Sequence, residues 1–414
     1  MCRSKVAAEV FRARALAVAE VSADSAAEAE DAGSVQRTVM AIRYVTAGES
    51  HGVALVGILE NVPAGLDIDF DFVNAELNRR MGGYGRSSRM ATENDRAVFL
   101  SGVISGRTIG SPIAVQIQNA DCRFDCESAC GCEEVTAVRP GHADLSGAVK
   151  YGFDGARNVL ERASARSTAM TVALGAVAKL YLKRLGIQVC SHTLAIGGVM
   201  ANVPDYSDIN ARADKDRVRC LNSVASEKMT EKIDGARNSG DTLGGVAEII
   251  VLGCKSGIGS YVSADKRLDG LVMRAVGCVP SVKAVEIGDG IAGSALFGSL
   301  FHDEIYTSDS GAPCRKTNRA GGIEGGMTNG EPIVVRAYFK PIPTLRNGLN
   351  TVDISSGLAA KAARERSDVC AVPSGGVVCE AAVALALAEA ISDMLGGDSM
   401  EEVVRRYNDK ASAV

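Results

Sequence analysis

The segment GESHG, residues 48–52, places a histidine and two other polar side chains between glycines. It separates two apolar stretches that are predicted to be strands, 42–46 and 53–59. A plain hairpin needs only a two-residue turn of the Asn-Gly kind, so the presence of Glu49, Ser50 and His51 favours a functional loop. Imidazole titrates close to neutral pH, which makes His51 a candidate for proton transfer.

A second histidine beside a glycine, His142, lies in RPGHAD, residues 139–144. We expect it at the mouth of a turn, before a short helix capped by Asp144, with its imidazole pointing into a cleft. The alternative is a buried structural histidine. The other two histidines, His192 and His302, lack such framing, and we interpret them as structural or surface residues.

Two arginine-rich segments indicate anion binding. RRMGGYGRSSR, residues 79–89, follows a predicted helix at 69–80 and forms a flexible loop. Guanidinium groups bind carboxylates and phosphates through paired hydrogen bonds, so this loop favours a small polyanionic ligand, with a solvated basic loop as the alternative. ERASARST, residues 161–168, opens a predicted Ala-rich helix, 164–185, whose first turn would form an anion-binding corner. The alternative there is an amphipathic helix with arginines extended along its surface.

Polar, glycine-rich segments recur from residue 48 to residue 368 without a linker, which predicts one domain over residues 40–414. Residues 1–39 are rich in Ala and Glu and are predicted to be a flexible, dispensable extension, with Met40 as an alternative start. Two Gly-x-Pro-Ile segments, in 109–117 and 329–337, each lead into a predicted strand and hint at an internal repeat. Further helices are predicted at 224–235, 264–276 and 375–395, and further strands at 186–196 and 246–252.

Composition excludes several classes of protein. The net charge is −5 and aromatic residues make up 4%, which argues against nucleic acid as a partner. Apolar runs are shorter than the ~18 residues of a membrane span, so no membrane association is expected. The 12 cysteines are scattered, as in a cytoplasmic protein with reduced thiols. Four of them lie in 122–132 with C-x3-C-x3-C-x-C spacing, which does not match a zinc site and predicts a thiol-rich surface loop and no metal.

Taken together, these segments resemble the chorismate synthase family. The matching motifs follow the family's order over roughly residues 40–395, and the set is specific although no single motif is. They are GESHG at 48–52, RRMGGYGR at 79–86, RPGHAD at 139–144, ERASAR at 161–166, VEIGDG at 285–290, NRAGGIEGGMTNGEP at 318–332, KPIPT at 340–344 and RSDVCAVP at 366–373.

The resemblance implies an α+β fold, a β-α-β sandwich with helices between antiparallel sheets. It also implies a lyase that converts 5-enolpyruvylshikimate 3-phosphate to chorismate and phosphate by a 1,4-anti elimination, the last common step toward the aromatic amino acids. The expected cofactor is reduced FMN, without net redox change. We further expect a homotetramer, and short connections between the motifs favour a monofunctional enzyme whose flavin is reduced by an external flavin reductase.

The resemblance also assigns roles to single residues. His51 would protonate the leaving phosphate, His142 would interact with the reduced flavin and protonate it, and Asp368 would assist proton movement at flavin N5. Ser50 and Ser164 match relay serines. Arg80 and Arg86 match positions for the anionic substrate or NADPH, and the flavin contacts would be Arg162, Ala163, Ser164, Pro280, Ser281, Gly325, Lys340, Pro341, Ile342, Pro343, Thr344 and Arg366.

The chain departs from the family pattern at a few positions. Pro280 and Ser281 stand where Asn-Ala or Gln-Ala is frequent, Ser167 replaces a glutamate, and Met81 replaces an arginine. Two other classes of protein remain. A flavin reductase would account for the glycines and the anion sites, although the chain lacks a G-x-G-x-x-G dinucleotide fingerprint after a strand. A noncatalytic polyanion-binding protein would account for the arginines but not for the two histidines.

Overall fold

The computed structural model describes residues 41–86, 95–127, 133–203, 205–309, 311–365 and 367–411. The predicted extension at 1–39, the alternative start at Met40 and the flavin contact predicted at Arg366 lie outside the described residues. Cys130 and Cys132 of the thiol-rich segment do so as well, whereas Cys122 and Cys126 are exposed.

The strands form two antiparallel sheets and several short hairpins. The first sheet has the order β1-β2-β6-β3 and the second has the order β10-β15-β9-β7-β8. The strands are β1 Arg43–Ala47, β2 Ala54–Glu60, β3 Ala97–Phe99, β4 Val103–Ile104, β5 Arg107–Thr108, β6 Ile113–Gln118, β7 Gln188–Ile196, β8 Val199–Met200, β9 Gly245–Leu252, β10 Val282–Ile287, β11 Ile305–Thr307, β12 Pro313–Arg315, β13 Ile323–Glu324, β14 Met327–Thr328, β15 Ile333–Phe339, β16 Asn350–Val352 and β17 Ala359–Lys361.

Two long apolar helices lie between the two sheets, and the described residues form further helices around them. The helices are α1 Phe70–Met81, α2 Asp144–Tyr151, α3 Arg157–Ala163, α4 Thr168–Arg184, α5 Ile209–Ala213, α6 Ser223–Ser239, α7 Leu268–Gly277, α8 Gly290–Gly293, α9 Gly298–Phe301, α10 Val372–Leu395 and α11 Met400–Ala411. Helix α4 packs on the first sheet, α10 packs on the second, and α4 and α10 pack against each other. The predicted α+β fold with helices between antiparallel sheets is therefore confirmed.

Helices α4 and α10 are apolar on nearly every face because each is covered by a sheet on one side and by the other helix on the opposite side. They cross closely at Gly175, where a Cβ would stand 2.4 Å from the Cβ of Ala381. Among the described residues, α10 is long and apolar enough to cross a membrane, but 89% of its most apolar stretch is buried in the protein. Packing in the core accounts for its composition.

The internal repeat suggested by the two Gly-x-Pro-Ile segments is confirmed by matching hydrogen bonds. Each segment follows a two-stranded hairpin, and the hairpin's last residue is a buried threonine, Thr108 or Thr328. Each threonine hydroxyl donates to a backbone carbonyl 2.6 Å away and accepts from a backbone N–H 2.9 Å away; the partners are Pro63 and Leu66 for Thr108, and Lys255 and Ile258 for Thr328. The strand orders β1-β2-β6-β3 and β7-β9-β15-β10 correspond in the same way, so the first repeat runs from β1 through α4 and the second from β7 through α10.

Two predicted boundaries are wrong near the loops of interest. The helix predicted at 164–185 is interrupted: α3 ends at Ala163, Ser164 is extended, and α4 begins only at Thr168. The helix after His142 is not capped by Asp144, because Ala143 occupies the cap position and Asp144 is the first helical residue. In both places polar side chains contact residues outside their own helix: Ser164 lies 3.1 Å from Ser50, and Asp144 contacts Arg139 and His142.

Candidate active site

A cavity of about 410 Å³ opens where the N-terminal ends of α4 and α10 face each other. Both repeats contribute to its wall, and most of the residues predicted for the site meet here. Those predicted residues are Ser50, His51, Arg80, Arg86, His142, Ala163, Ser164, Pro280, Ser281, Lys340, Ile342, Pro343, Thr344 and Asp368.

His51, in the loop between β1 and β2, is held by a carboxylate from α3. Its side chain is 6% exposed, and its Nδ1 lies 3.0 and 3.1 Å from the two carboxylate oxygens of Glu161. The backbone N–H of His51 donates to the same carboxylate at 2.9 Å. Burial alone would raise the pKa of Glu161, but the hydrogen bonds and the charge of His51 leave this pKa below its ordinary value. The imidazole is therefore fixed through Nδ1.

A pair of serine hydroxyls lies next to this histidine. The Oγ atoms of Ser50 and Ser164 are 3.1 Å apart, and the Ser50 backbone N–H donates to the carbonyl of Glu161 at 2.9 Å. Ser164 Oγ also accepts a weak bond from the backbone N–H of Arg166 at 3.3 Å. The break between α3 and α4 is what turns the Ser164 side chain toward the β1–β2 loop.

His142 is held by a buried pair of opposite charges. Its Nδ1 lies 2.5 Å from Oδ1 of Asp144, and the Arg139 guanidinium donates to Asp144 at 2.8 and 3.0 Å. Burial would raise the pKa of Asp144, but the hydrogen bonds from His142 and Arg139 outweigh it and hold this pKa well below its usual range. Because the Asp144 carboxylate is committed to these two side chains, it orients His142 instead of capping α2.

The two predicted anion-binding arginines are held at opposite helix starts. Arg80 donates through Nε to Thr168 Oγ1 at 2.9 Å, at the first residue of α4. Arg86 donates through Nη1 to Ser374 Oγ at 2.9 Å and lies 3.0 Å from Asp368, beside the start of α10. The buried Nε of Arg86 has no hydrogen-bond partner in the described part of the chain. A polar atom in that state is suited to receiving an anionic ligand.

The opposite wall is formed by the segment after β15 and the turn before β10. Lys340 is held against the carbonyl of Gly141, and partial burial, together with the nearby Lys283, lowers its pKa. Thr344 Oγ1 accepts from Arg139 at 3.1 Å, which joins this segment to the His142 loop. Ser281 adopts φ +73°, a left-handed conformation that is uncommon for a non-glycine residue and often found at functional sites.

Three of the predicted flavin contacts lie outside the cavity wall. Arg162 is directed the other way and donates to the carbonyls of Gly48 and Thr46 at 3.0 and 2.9 Å, so it supports the loop that carries His51. Gly325 lies in the tight turn between β13 and β14, with φ +60°. Pro341 is the one residue of KPIPT that does not line the cavity.

The structure also adds residues that the sequence analysis did not assign. Arg139, Arg166 and Ser374 line the cavity, and Glu161 and Asp144 hold its two histidines. All of them except Ser374 lie within the motifs named above, and each carries a signal: a charged or hydroxyl residue at the start of a buried helix, or beside a candidate histidine. The sequence does not tell which of them pair.

Comparison with known proteins agrees with this geometry. The sequence profile of the chorismate synthase family matches residues 42–392. The chain is 48% identical to the chorismate synthase of Desulforudis audaxviator, with 90% of this chain and 98% of that protein covered. It is 47% identical to that of Carboxydothermus hydrogenoformans, with 90% and 99% covered. A crystal structure of a chorismate synthase superposes with a TM-score of 0.74 at 37% identity, covering 90% of this chain and 98% of that one. The chain therefore belongs to the chorismate synthase family, carbon–oxygen lyases that convert 5-enolpyruvylshikimate 3-phosphate to chorismate in the shikimate pathway.

Proposed function

We propose that the cavity carries out the 1,4-anti elimination of phosphate from 5-enolpyruvylshikimate 3-phosphate, with reduced FMN bound beside the substrate. The family generally depends on reduced FMN. The observation that carries the proposal is the convergence of two histidines, an aspartate and several cations from both repeats on one cavity.

The arginines suit the substrate, which carries two carboxylates and a phosphate. Arg80 reaches the cavity from the last turn of α1 and Arg86 from the loop that follows it, and Arg139 and Arg166 add two more guanidinium groups. Each charge-assisted hydrogen bond to an anion contributes about 1.5 to 3 kcal/mol, so a few of them suffice for tight binding. The unsatisfied Nε of Arg86 supports its assignment to the substrate.

The wall formed by Pro280, Ser281 and residues 340–344 suits a flavin. Its prolines and Ile342 offer apolar surface for a flat ring, and Lys340 offers positive charge for the FMN phosphate. Ala163, Ser164 and Arg366 complete the proposed contacts. When bound, reduced FMN supplies electron density at the reacting carbon and is not consumed.

Proton transfer is assigned to the residues held most firmly. His51 donates its proton from Nε2 to the departing phosphate, since Nδ1 is committed to Glu161. Ser50 and Ser164 form a hydroxyl pair through which a proton could move on the same side. His142 keeps a proton close to the flavin, and Asp368 takes up or returns a proton there.

Phosphate release from the substrate, followed with and without reduced FMN, tests this proposal. Release that depends on reduced FMN supports the lyase. NADPH oxidation without phosphate release would instead favour a flavin reductase, and binding of the substrate without either reaction would favour a polyanion-binding protein. The same assay with and without an added flavin reductase tests whether NADPH at Arg80 and Arg86, or an external reductase, supplies the electrons.

Assembly, domain organisation and location are further parts of the proposal. We expect a cytoplasmic homotetramer whose catalytic domain spans residues 40–414. Large apolar side chains are exposed at several places, among them Phe297 at 81% and Val262 at 77%, as expected of surfaces that pair with other subunits. Light scattering after size-exclusion chromatography would report the mass, and a monomer would contradict the tetramer.

A further inference from the structure

Glu161 is a buried carboxylate beside a cavity built to bind anions. Its side chain is 4% exposed, and it lies on α3 next to the segment that lines the cavity. Burial disfavours a charged carboxylate, and a negative charge near an anionic substrate weakens binding of that substrate. A function beyond packing would account for a glutamate in this place.

The contacts of Glu161 are concentrated on the loop that carries His51. Both carboxylate oxygens lie within 3.1 Å of Nδ1, and one of them also accepts from the His51 backbone N–H. The Glu161 carbonyl accepts from the backbone N–H of Ser50. Arg157, one helical turn earlier, lies 3.6 Å from the carboxylate and keeps it charged. One residue thus fixes the position, ring orientation and tautomer of His51.

We propose that Glu161 is a positioning residue for the elimination, acting through His51. Accepting the Nδ1 proton leaves Nε2 as the nitrogen that faces the cavity, and the carboxylate stabilises the imidazolium before proton transfer. As the carbon–oxygen bond breaks, the Nε2 proton moves to the phosphate oxygen, and His51 becomes neutral with Nδ1–H still bonded to Glu161. The inference rests on the proposed role of His51 as proton donor.

A second carboxylate near His51 provides a matched control. Asp121 lies 3.7 Å from Nε2, too far for a hydrogen bond, and its side chain is 42% exposed and paired with Arg123 at 2.7 Å. Removing its charge changes the field at His51 without releasing the ring. Among the described residues, the carboxylates within 4 Å of the imidazole are Glu161, beside Arg157, and Asp121, beside Arg123.

A second buried histidine–glutamate pair, away from the cavity, shows what loss of such a contact does to stability alone. His192 Nε2 lies 3.0 Å from Glu248, both side chains are fully buried in the second sheet, and neither lines the cavity. Glu248→Gln should lower the thermal midpoint while leaving the pH dependence of phosphate release as in the parent.

The test is single-turnover phosphate release against pH, at saturating substrate with reduced FMN bound. For Glu161→Gln we expect a rate lower by at least about tenfold, unchanged FMN affinity, and an alkaline limb moved to lower pH because the imidazolium has lost its partner. Asp121→Asn should change the rate by no more than about fivefold. Glu161→Asp, which keeps the charge, should have an alkaline limb closer to that of the parent than Glu161→Gln.

The same substitution in a His51→Ala background separates the outcomes. If Glu161 acts through His51, Glu161→Gln should cause no further loss there, whereas a merely structural role would cause the same loss in both backgrounds. A parental rate and pH profile for Glu161→Gln, equal losses in the two backgrounds, an equal effect of Asp121→Asn, or the reverse order of the Asp and Gln variants would each overturn the inference. A parental rate for His51→Ala would instead overturn the proposed role of His51.

Discussion

The two repeats share one plan but differ in the connection between their first two strands. β1 and β2 are joined by six residues, 48–53, whereas β7 and β9 are joined by 48 residues, 197–244. The short connection carries Ser50 and His51 into the cavity. The long one forms β8, α5 and α6, and Ile209 of α5 packs on the outer face of the second sheet. The two repeats thus share one framework, and the connection between their first two strands carries a histidine into the cavity in the first repeat only.

The repeats also contribute different chemistry to the cavity they enclose. The first provides the proposed proton donor, Arg80 of α1 and Arg86 of the loop after it, whereas the second provides Lys340, Asp368 and the apolar wall. Arg86 of the first repeat lies 3.0 Å from Asp368 of the second. The site therefore exists only where the two repeats meet.

The largest effect is expected from His51→Ala. The substrate and reduced FMN should still bind, and phosphate release should slow by a factor of about 10² to 10⁴, the usual contribution of a positioned general acid. His142→Ala should differ in kind, since the fold and substrate binding survive while the spectrum of the reduced flavin changes. Single-turnover phosphate release, followed beside flavin absorbance, distinguishes the two.

If His51→Ala released phosphate at the parental rate, the short β1–β2 connection would have no catalytic role and would not differ in function from the long β7–β9 connection. If His142→Ala left both the flavin spectrum and turnover unaltered, its role beside the flavin would be lost.

The next effect concerns the two arginines assigned to the substrate, of which Arg80 contacts the first repeat at Thr168 and Arg86 contacts the second at Asp368. Arg80→Ala and Arg86→Ala each remove a charge-assisted contact of about 1.5 to 3 kcal/mol, so the apparent KM for the substrate should rise tenfold or more. FMN affinity should barely change. If a variant lost FMN binding but kept substrate binding, the substituted arginine would have to be assigned to the flavin instead of the substrate. Steady-state kinetics and flavin titration of the same samples provide the two measurements.

The shared plan itself is tested by Thr108→Val and Thr328→Val. Each substitution leaves a carbonyl and a buried N–H without the threonine hydroxyl, which should lower the free energy of unfolding by about 1 to 3 kcal/mol, to a similar extent in the two repeats. Urea denaturation measures this, and Thr307→Val on an exposed strand is the control, expected within about 0.5 kcal/mol of the parent. If only one of the two threonine substitutions lowered the free energy of unfolding, the repeats would share this hydrogen-bond geometry but not its contribution to stability.

The smallest effect is expected from deleting residues 1–39. Their composition is that of a solvated segment, and they precede both repeats, so activity and thermal midpoint should stay nearly unchanged. A large loss of either quantity would show that the extension packs against the catalytic domain or against another subunit.

Most elements could be predicted from local patterns, since apolar periodicity and glycine positions define β2, α1 and α10 to within a few residues. The residues that line the cavity could also be predicted, because most of them lie in motifs that are local in sequence. The carboxylates that hold the two histidines were harder to assign, because Glu161 is 110 residues from His51 and the pairing depends on the tertiary fold. The prediction of Asp144 as a helix cap is wrong because local rules consider only its own helix and not the contacts of Asp144 with Arg139 and His142.

The close crossing of α4 and α10 at Gly175 restricts which residues can occupy this position. A side chain at Gly175 would collide with Ala381 and push the helices apart, and the crossing lies only about 10 Å along α4 from the cavity. Separation there would widen the gap between Ser164 and Asp368 without altering any group that touches a ligand. The absence of a side chain at Gly175 therefore sets the distance between the reactive groups. Variants with a larger residue at this position would have a wider cavity and a lower turnover.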